Sequence, residues 1–184
     1  LESCRKNKIK HFIHTSTSEV YGSAKYVPID ENHPLNAQSP YAASKIAADQ
    51  ICLSFHKSFN LPVTIIRPFN TFGPRQSLRA VIPTILYQAN KKNEVQLGNV
   101  NSKRDFTFVD DTVDAFILTL NKKKTIGEVI NLGTGYEFSI KDVLNATSNI
   151  LNKKIRIVST KERFRPKKSE VNRLLSDNRK AKKI

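Results

Sequence analysis

The chain has 184 residues, 39% of them apolar and 8% aromatic, which is enough to bury a core and too apolar for a disordered tail. No run of eighteen apolar residues occurs and the opening, Leu1 to Lys10, is charged, so neither a membrane span nor a secretory leader is expected and a cytoplasmic protein is. The formal net charge of +15 points first to nucleic acid, but 13 Lys/Arg against 3 Asp/Glu lie between Lys153 and Ile184, leaving 18 against 13 in the rest. That basic end has one aromatic residue, Phe164, and no nucleic-acid module signature. A solvated basic face, locally suited to a phosphate-bearing small molecule, is the better reading, with no nucleic-acid and no membrane partner. Cys4 and Cys52 are far apart and outside any CxxC spacing, so both read as reduced thiols and no metal is expected.

Lys10 to Thr17 clusters β-branched and apolar residues without helical spacing and reads as a short buried strand that ends in a polar turn at Gly22. Ser39-Pro40 then starts a helix from Tyr41 to about Asn60, with Ile46, Ile51, Phe55 and Phe59 as its apolar stripe. A second strand, Val63 to Arg67, follows Leu61-Pro62 at once. Strand, helix, strand with short joins is a βαβ unit, and near-continuous apolar strands point to a parallel sheet covered on both faces. Beyond Gly73-Pro74 the expected elements are a helix over Ala80 to Asn90, strands at Val95 to Leu97 and Asp105 to Val109, and a helix over Asp110 to Leu120. A strand at Val129 to Leu132, a helix over Ser139 to Leu151 and a strand at Ile155 to Val158 come after them. The change from a regular βαβ unit to small irregular elements suggests a sheet end carrying a smaller substrate-binding lobe.

Tyr41 and Lys45 stand four residues apart on the expected helix, so their side chains project from one face. A nearby ammonium stabilises a phenolate, which is what proton abstraction from a sugar hydroxyl needs. By itself a YxxxK pair is more often an ordinary exposed Tyr and Lys. Here it follows a strand ending in Ser16-Thr17-Ser18-Glu19-Val20-Tyr21-Gly22 and precedes Arg67-Pro68-Phe69-Asn70-Thr71-Phe72-Gly73-Pro74-Arg75-Gln76 and Arg104-Asp105-Phe106-Thr107-Phe108-Val109-Asp110-Asp111.

In order and spacing these four motifs resemble the extended short-chain dehydrogenase/reductases, the NAD-dependent epimerase/dehydratases of nucleotide sugars, from about His11 to the C-terminus. The resemblance implies an α/β fold, the C-terminal part of a Rossmann-like doubly wound parallel sheet plus a smaller substrate-binding lobe. Residues 1–75 would be the second half of the NAD-binding domain and 76–184 mainly the substrate lobe, interleaved with the last sheet strands. It also implies NAD as cofactor, a nucleotide-sugar substrate and a homodimer at full length. Thr17 is then the hydroxyl that hydrogen-bonds the sugar 4-oxygen, Tyr41 the base and Lys45 the residue holding the nicotinamide ribose, with Tyr41, Lys45 and Pro68 at the cofactor. Asn70 and Arg104 match residues contacting the diphosphate, and Val81 and Leu97 would bind substrate from the smaller lobe. Amide and guanidinium donors suit phosphate oxygens. The competing reading of Arg104 is a surface salt bridge with Asp105.

Glu19 separates reaction types. In the family's 4,6-dehydratases a Glu here removes the sugar C5 proton once C4 is a ketone, although a carboxylate at this place could simply cap the turn. The neighbouring acid that helps the 6-hydroxyl leave is commonly Asp, and this chain has Ser18, too weak an acid to serve alone. Ser18 invites a second reading, a UDP-glucuronate decarboxylase, whose β-keto acid loses carbon dioxide without a departing hydroxyl. Those enzymes typically carry Tyr-Asp-Glu-Gly-Lys where this chain has Tyr41-Ala42-Ala43-Ser44-Lys45. A 4-epimerase is a further alternative. The stretches Gln76 to Pro83 and Leu97-Gly98-Asn99 look like 4,6-dehydratases of N-acetylglucosamine nucleotides in the legionaminic-acid pathway. Many relatives place a base-stacking aromatic where Leu97 stands, so the base is open. No glycine-rich turn joins a first strand to a first helix, and Gly133-Thr134-Gly135 lacks the third glycine and reads as a turn. The sequence therefore reads as a fragment without the dinucleotide-binding half, and by itself as an inactive, non-catalytic binding remnant.

Overall fold

The computed structural model describes residues 1–160, 163, 164 and 166–184. In chain order its elements are α1 (Glu2–Lys6), β1 (Phe12–Thr15), a 3-10 turn (Ser18–Tyr21), α2 (Pro40–Phe59), β2 (Val63–Pro68), β3 (Asn70–Phe72), α3 (Val81–Lys91) and β4 (Glu94–Leu97). They continue with β5 (Lys103–Arg104), β6 (Phe106–Phe108), α4 (Val109–Leu120), β7 (Val129–Leu132), β8 (Phe138–Ser139), α5 (Ile140–Ile150), β9 (Arg156–Ser159), β10 (Arg173–Leu174) and α6 (Arg179–Lys183). The main sheet has the order β1-β2-β7 and is wholly parallel, with Phe12 opposite Val63 and Ile65 opposite Val129. The unit β1-α2-β2 is thus the expected βαβ crossover. β7 reaches the same sheet after the intervening elements β3 to α4.

The alternation of β2 explains why both sheet faces are covered. Val63 and Ile65 pack with Cys52 of α2, while Ile66 packs with Ala115 and Phe116 of α4. Cys52 is buried and Cys4 half-buried, and both are free. A separate core, Ile85, Ala89, Val95, Leu97, Ile140 and Leu144, joins α3, β4 and α5. Helix α5 starts on a capping box, Ser139 accepting from Asp142 N while the Asp142 carboxylate accepts from Ser139 N. Among the described residues, no helix is long and apolar enough to cross a membrane.

Two expectations need correction. The first strand stops at Thr15, because Thr17 caps the 3-10 turn, its hydroxyl accepting from Glu19 N at 3.2 Å. That strand is also only partly buried, being the edge of the sheet. On α2 the expected apolar stripe is only half right: Ile46 and Phe55 pack inward, whereas Ile51 is 53% and Phe59 52% exposed. The buried face instead runs through Ala42, Asp49 and Cys52, small residues and one carboxylate that let the helix lie close on the sheet.

Candidate active site

The end of β1 and the start of α2 meet at the C-terminal edge of the parallel sheet, where open α/β sheets hold their ligands. Ser39 caps α2 by accepting from Ala42 N at 3.1 Å, Pro40 opens the first turn, and Tyr41 follows, 50% exposed. Lys45 is one turn on. Its Nζ donates to the Thr15 carbonyl at 2.9 Å and lies 6.0 Å from the Tyr41 ring centre. An ammonium has three donors, so this anchor leaves two for other partners. Helix α2 also packs on the 3-10 turn that carries Ser18 and Glu19. Ser18 is buried, while Thr17 and Glu19 are half-buried. Pro68, last residue of β2 and paired with Leu132, closes the same edge.

The other expected residues gather in a second place. Asn70, Val81, Leu97 and Arg104 line one cavity of about 400 Å³, together with Arg79 and Glu170 among others. Thr17, Tyr41 and Lys45 do not line it, so the structure holds two groups of residues joined through Pro68, Phe69 and Asn70. Arg104 is held by its backbone neighbours, donating from Nη1 to the Lys103 carbonyl at 2.9 Å and from Nη2 to the Val171 carbonyl at 2.6 Å. Asp105 is engaged elsewhere. Its buried carboxylate accepts from Thr134 N at 2.8 Å, from the Thr134 hydroxyl at 2.6 Å and from Gly135 N at 2.9 Å. The Gly133–Gly135 segment is therefore a turn clamped by Asp105. A Cβ on Gly133 would come within 2.4 Å of the Ser176 Cβ, which is the reason for glycine there.

Sequence reasoning missed a buried polar network between the main sheet and α2. Arg67 of β2 donates from Nε at 3.0 Å and from Nη2 at 2.9 Å to the Asp49 carboxylate of α2, and from Nη1 to the Tyr21 hydroxyl at 2.8 Å. Tyr21 donates in turn to Asn131 Oδ1 of β7 at 2.7 Å, and His14 of β1 lies 3.3 Å from Asp49. Five elements, β1, the 3-10 turn, α2, β2 and β7, are thereby tied to one another. Burial pushes the Asp49 carboxyl up, but His14, Arg67 and Ser16 outweigh it and hold the group below the usual carboxylate range. Burial likewise pushes the Tyr21 phenol up, against the opposing effect of Arg67. Asp49 follows Tyr41 and Lys45 at successive intervals of four, a spacing that could have flagged it as the third residue of that helix face.

The family model of GDP-mannose 4,6-dehydratase matches residues 1–184. The chain belongs to the GDP-mannose 4,6-dehydratase family. It is 39% identical over 163 residues to the dTDP-D-glucose 4,6-dehydratase of Dictyostelium discoideum, which covers 82% of this chain and 37% of that protein. Among solved structures, the UDP-glucuronic acid 4-epimerase of Bacillus cereus, in complex with UDP-glucuronic acid and NAD, superposes with a TM-score of 0.90 at 32% identity. The dTDP-glucose 4,6-dehydratase of Bacillus anthracis, in complex with NAD, does so with a TM-score of 0.88 at 30% identity. The match covers 99% of this chain and 57% of each of those two chains. Family membership accounts for the parallel α/β sheet and for the motif order, and it leaves dehydratases and epimerases side by side as relatives.

Proposed function

We propose that this chain is the catalytic strand, helix and substrate lobe of an NAD-dependent nucleotide-sugar 4,6-dehydratase that acts on a nucleotide-linked N-acetylglucosamine. The observation that carries the reading is the anchoring of Lys45 on the Thr15 carbonyl beside Tyr41, at the sheet edge that also bears Thr17 and Glu19. Tyr41 takes the proton of the sugar 4-hydroxyl, Thr17 hydrogen-bonds the 4-oxygen, and Lys45 stabilises the phenolate and holds the nicotinamide ribose. Bound NAD supplies the hydride acceptor at C4 and the hydride donor at C6. The chain fits the nicotinamide end of that cofactor, because Lys45 keeps donors to spare and Pro68 closes the sheet edge. Glu19 then removes the C5 proton, made acidic by the adjacent ketone, and water leaves from C5 and C6.

Residues 1–75 belong on this reading to the dinucleotide-binding unit and 76–184 mainly to the substrate lobe, of a cytoplasmic homodimer. The 184 residues alone contain no glycine-rich pyrophosphate turn, and by themselves they do not turn over substrate. Ser18 is buried and cannot protonate the departing 6-hydroxyl, which leaves Glu19, a water or another residue to do so. The likeness to a UDP-glucuronic acid 4-epimerase keeps inversion at C4 as the second reading.

Glu19→Gln in the enzyme carrying a dinucleotide-binding half separates the steps. Nicotinamide reduction on mixing with substrate is expected to persist, while solvent deuterium no longer enters C5, as read by mass spectrometry. Loss of the first step as well, in a variant with unchanged unfolding temperature, would show that Glu19 is not the C5 base.

A further inference from the structure

We infer that Gln76 is a substrate-recognition residue: its side-chain carbonyl accepts a hydrogen bond from a hydroxyl or amide N–H on the sugar of the bound nucleotide, and so distinguishes a glycosylated nucleotide from the bare nucleoside diphosphate. This deepens the nucleotide-sugar reading above and rests on it. Gln76 sits in the loop between β3 and α3, and that loop is pinned along its length. Gln76 N donates to the Gly73 carbonyl at 3.3 Å, Ala80 N to the Ser77 carbonyl at 2.9 Å, and the Thr84 hydroxyl to the Leu78 carbonyl at 2.7 Å. The amide is also oriented. Its Nε2 donates to the Thr71 carbonyl at 2.9 Å, and turning it over would set two acceptors face to face with no proton between them.

Oε1 is therefore the end left for a ligand. It is buried, it has no partner among the described residues, and Gln76 lines the 400 Å³ cavity. A buried acceptor without a donor is destabilising, and that destabilisation is relieved when a ligand brings the donor. Asn70 Oδ1 is a second such acceptor in the same cavity. The cavity's guanidinium groups, Arg79, Arg104 and Arg163, suit a diphosphate, but fully ionised phosphate oxygens carry no proton to give. The two carbonyl acceptors must then face an uncharged part of the ligand. Their place favours the sugar over the ribose. Asn70 opens β3 directly after the sheet edge that bears Tyr41 and Lys45, and Gln76 is tied to its neighbour Thr71.

Calorimetric titration of the 184-residue chain tests this with UDP and GDP, each bare and linked to N-acetylglucosamine, for wild type and Gln76→Met. Methionine keeps the length and the unbranched stem and removes the oxygen. The variant is expected to bind the sugar nucleotide about ten-fold more weakly and the bare diphosphate as wild type does, with an unchanged unfolding temperature. Equal weakening for both ligands, or none for either, would overturn the role of Gln76 and leave the nucleotide-sugar reading standing. A wild-type chain that binds none of the four would overturn both.

Discussion

Tyr41→Phe is expected to lower C4 oxidation by about three orders of magnitude while leaving affinity for the sugar nucleotide nearly unchanged. The phenyl ring keeps the shape of the first turn of α2, so Ser39 still caps it and Lys45 still reaches the Thr15 carbonyl. What is lost is the oxygen that, on the proposed reading, accepts the 4-hydroxyl proton, and a C4 hydride does not leave while that proton stays. Tyr41 is half-exposed and its hydroxyl has no hydrogen-bond partner among the described residues, so stability should be unaltered. A single-turnover experiment following nicotinamide absorbance checks this in the enzyme carrying a dinucleotide-binding half. Oxidation within ten-fold of wild type would assign the base to another residue.

The largest stability effect is expected at Asp49. Its side chain is fully buried and that of Arg67 is 3% exposed. Asp49→Ala would leave the guanidinium in the core without its counter-charge, for a loss of about 3–5 kcal/mol in chemical denaturation. Replacing both partners by apolar residues, Asp49→Leu with Arg67→Met, should recover much of that loss, because no charge is then stranded. The pH dependence has a definite sign. The folded state holds the Asp49 carboxyl below its ordinary value of 3.8, so its contribution is complete above that value and is lost as pH falls through the depressed one. The gap between wild type and Asp49→Ala should accordingly be flat towards neutrality and narrow below pH 3.8. A gap that widened on acidification would contradict the assignment.

The parts of the fold visible in the sequence are those with a local cause. β2 and β7 are runs of β-branched and apolar residues, and α2 and α5 begin on serine caps. Strands of two or three residues, such as β3, β5, β8 and β10, carry no periodicity and exist because a distant partner supplies their hydrogen bonds. The packed face of α2 is not legible in the sequence because it is built from Ala42, Asp49 and Cys52, without the large apolar side chains that mark a buried stripe. Asp49 with Arg67 lay hidden for a related reason: each looks like a solvated charge until the fold buries both. At the site, the residues named by motif lie in two groups, around the Tyr41 end and in the cavity. Gln76 stands in the motif from Arg67 to Gln76, yet its proposed role depends on which way an amide turns, and only the Thr71 carbonyl fixes that.

The most direct measurement is product analysis by mass spectrometry after the enzyme, carrying a dinucleotide-binding half, has acted on nucleotide-linked N-acetylglucosamine and on UDP-glucuronate. Loss of one water from the N-acetylglucosamine nucleotide, with no net consumption of NAD, is the expected result. An unchanged mass with inversion at C4, or release of carbon dioxide from UDP-glucuronate, would contradict it.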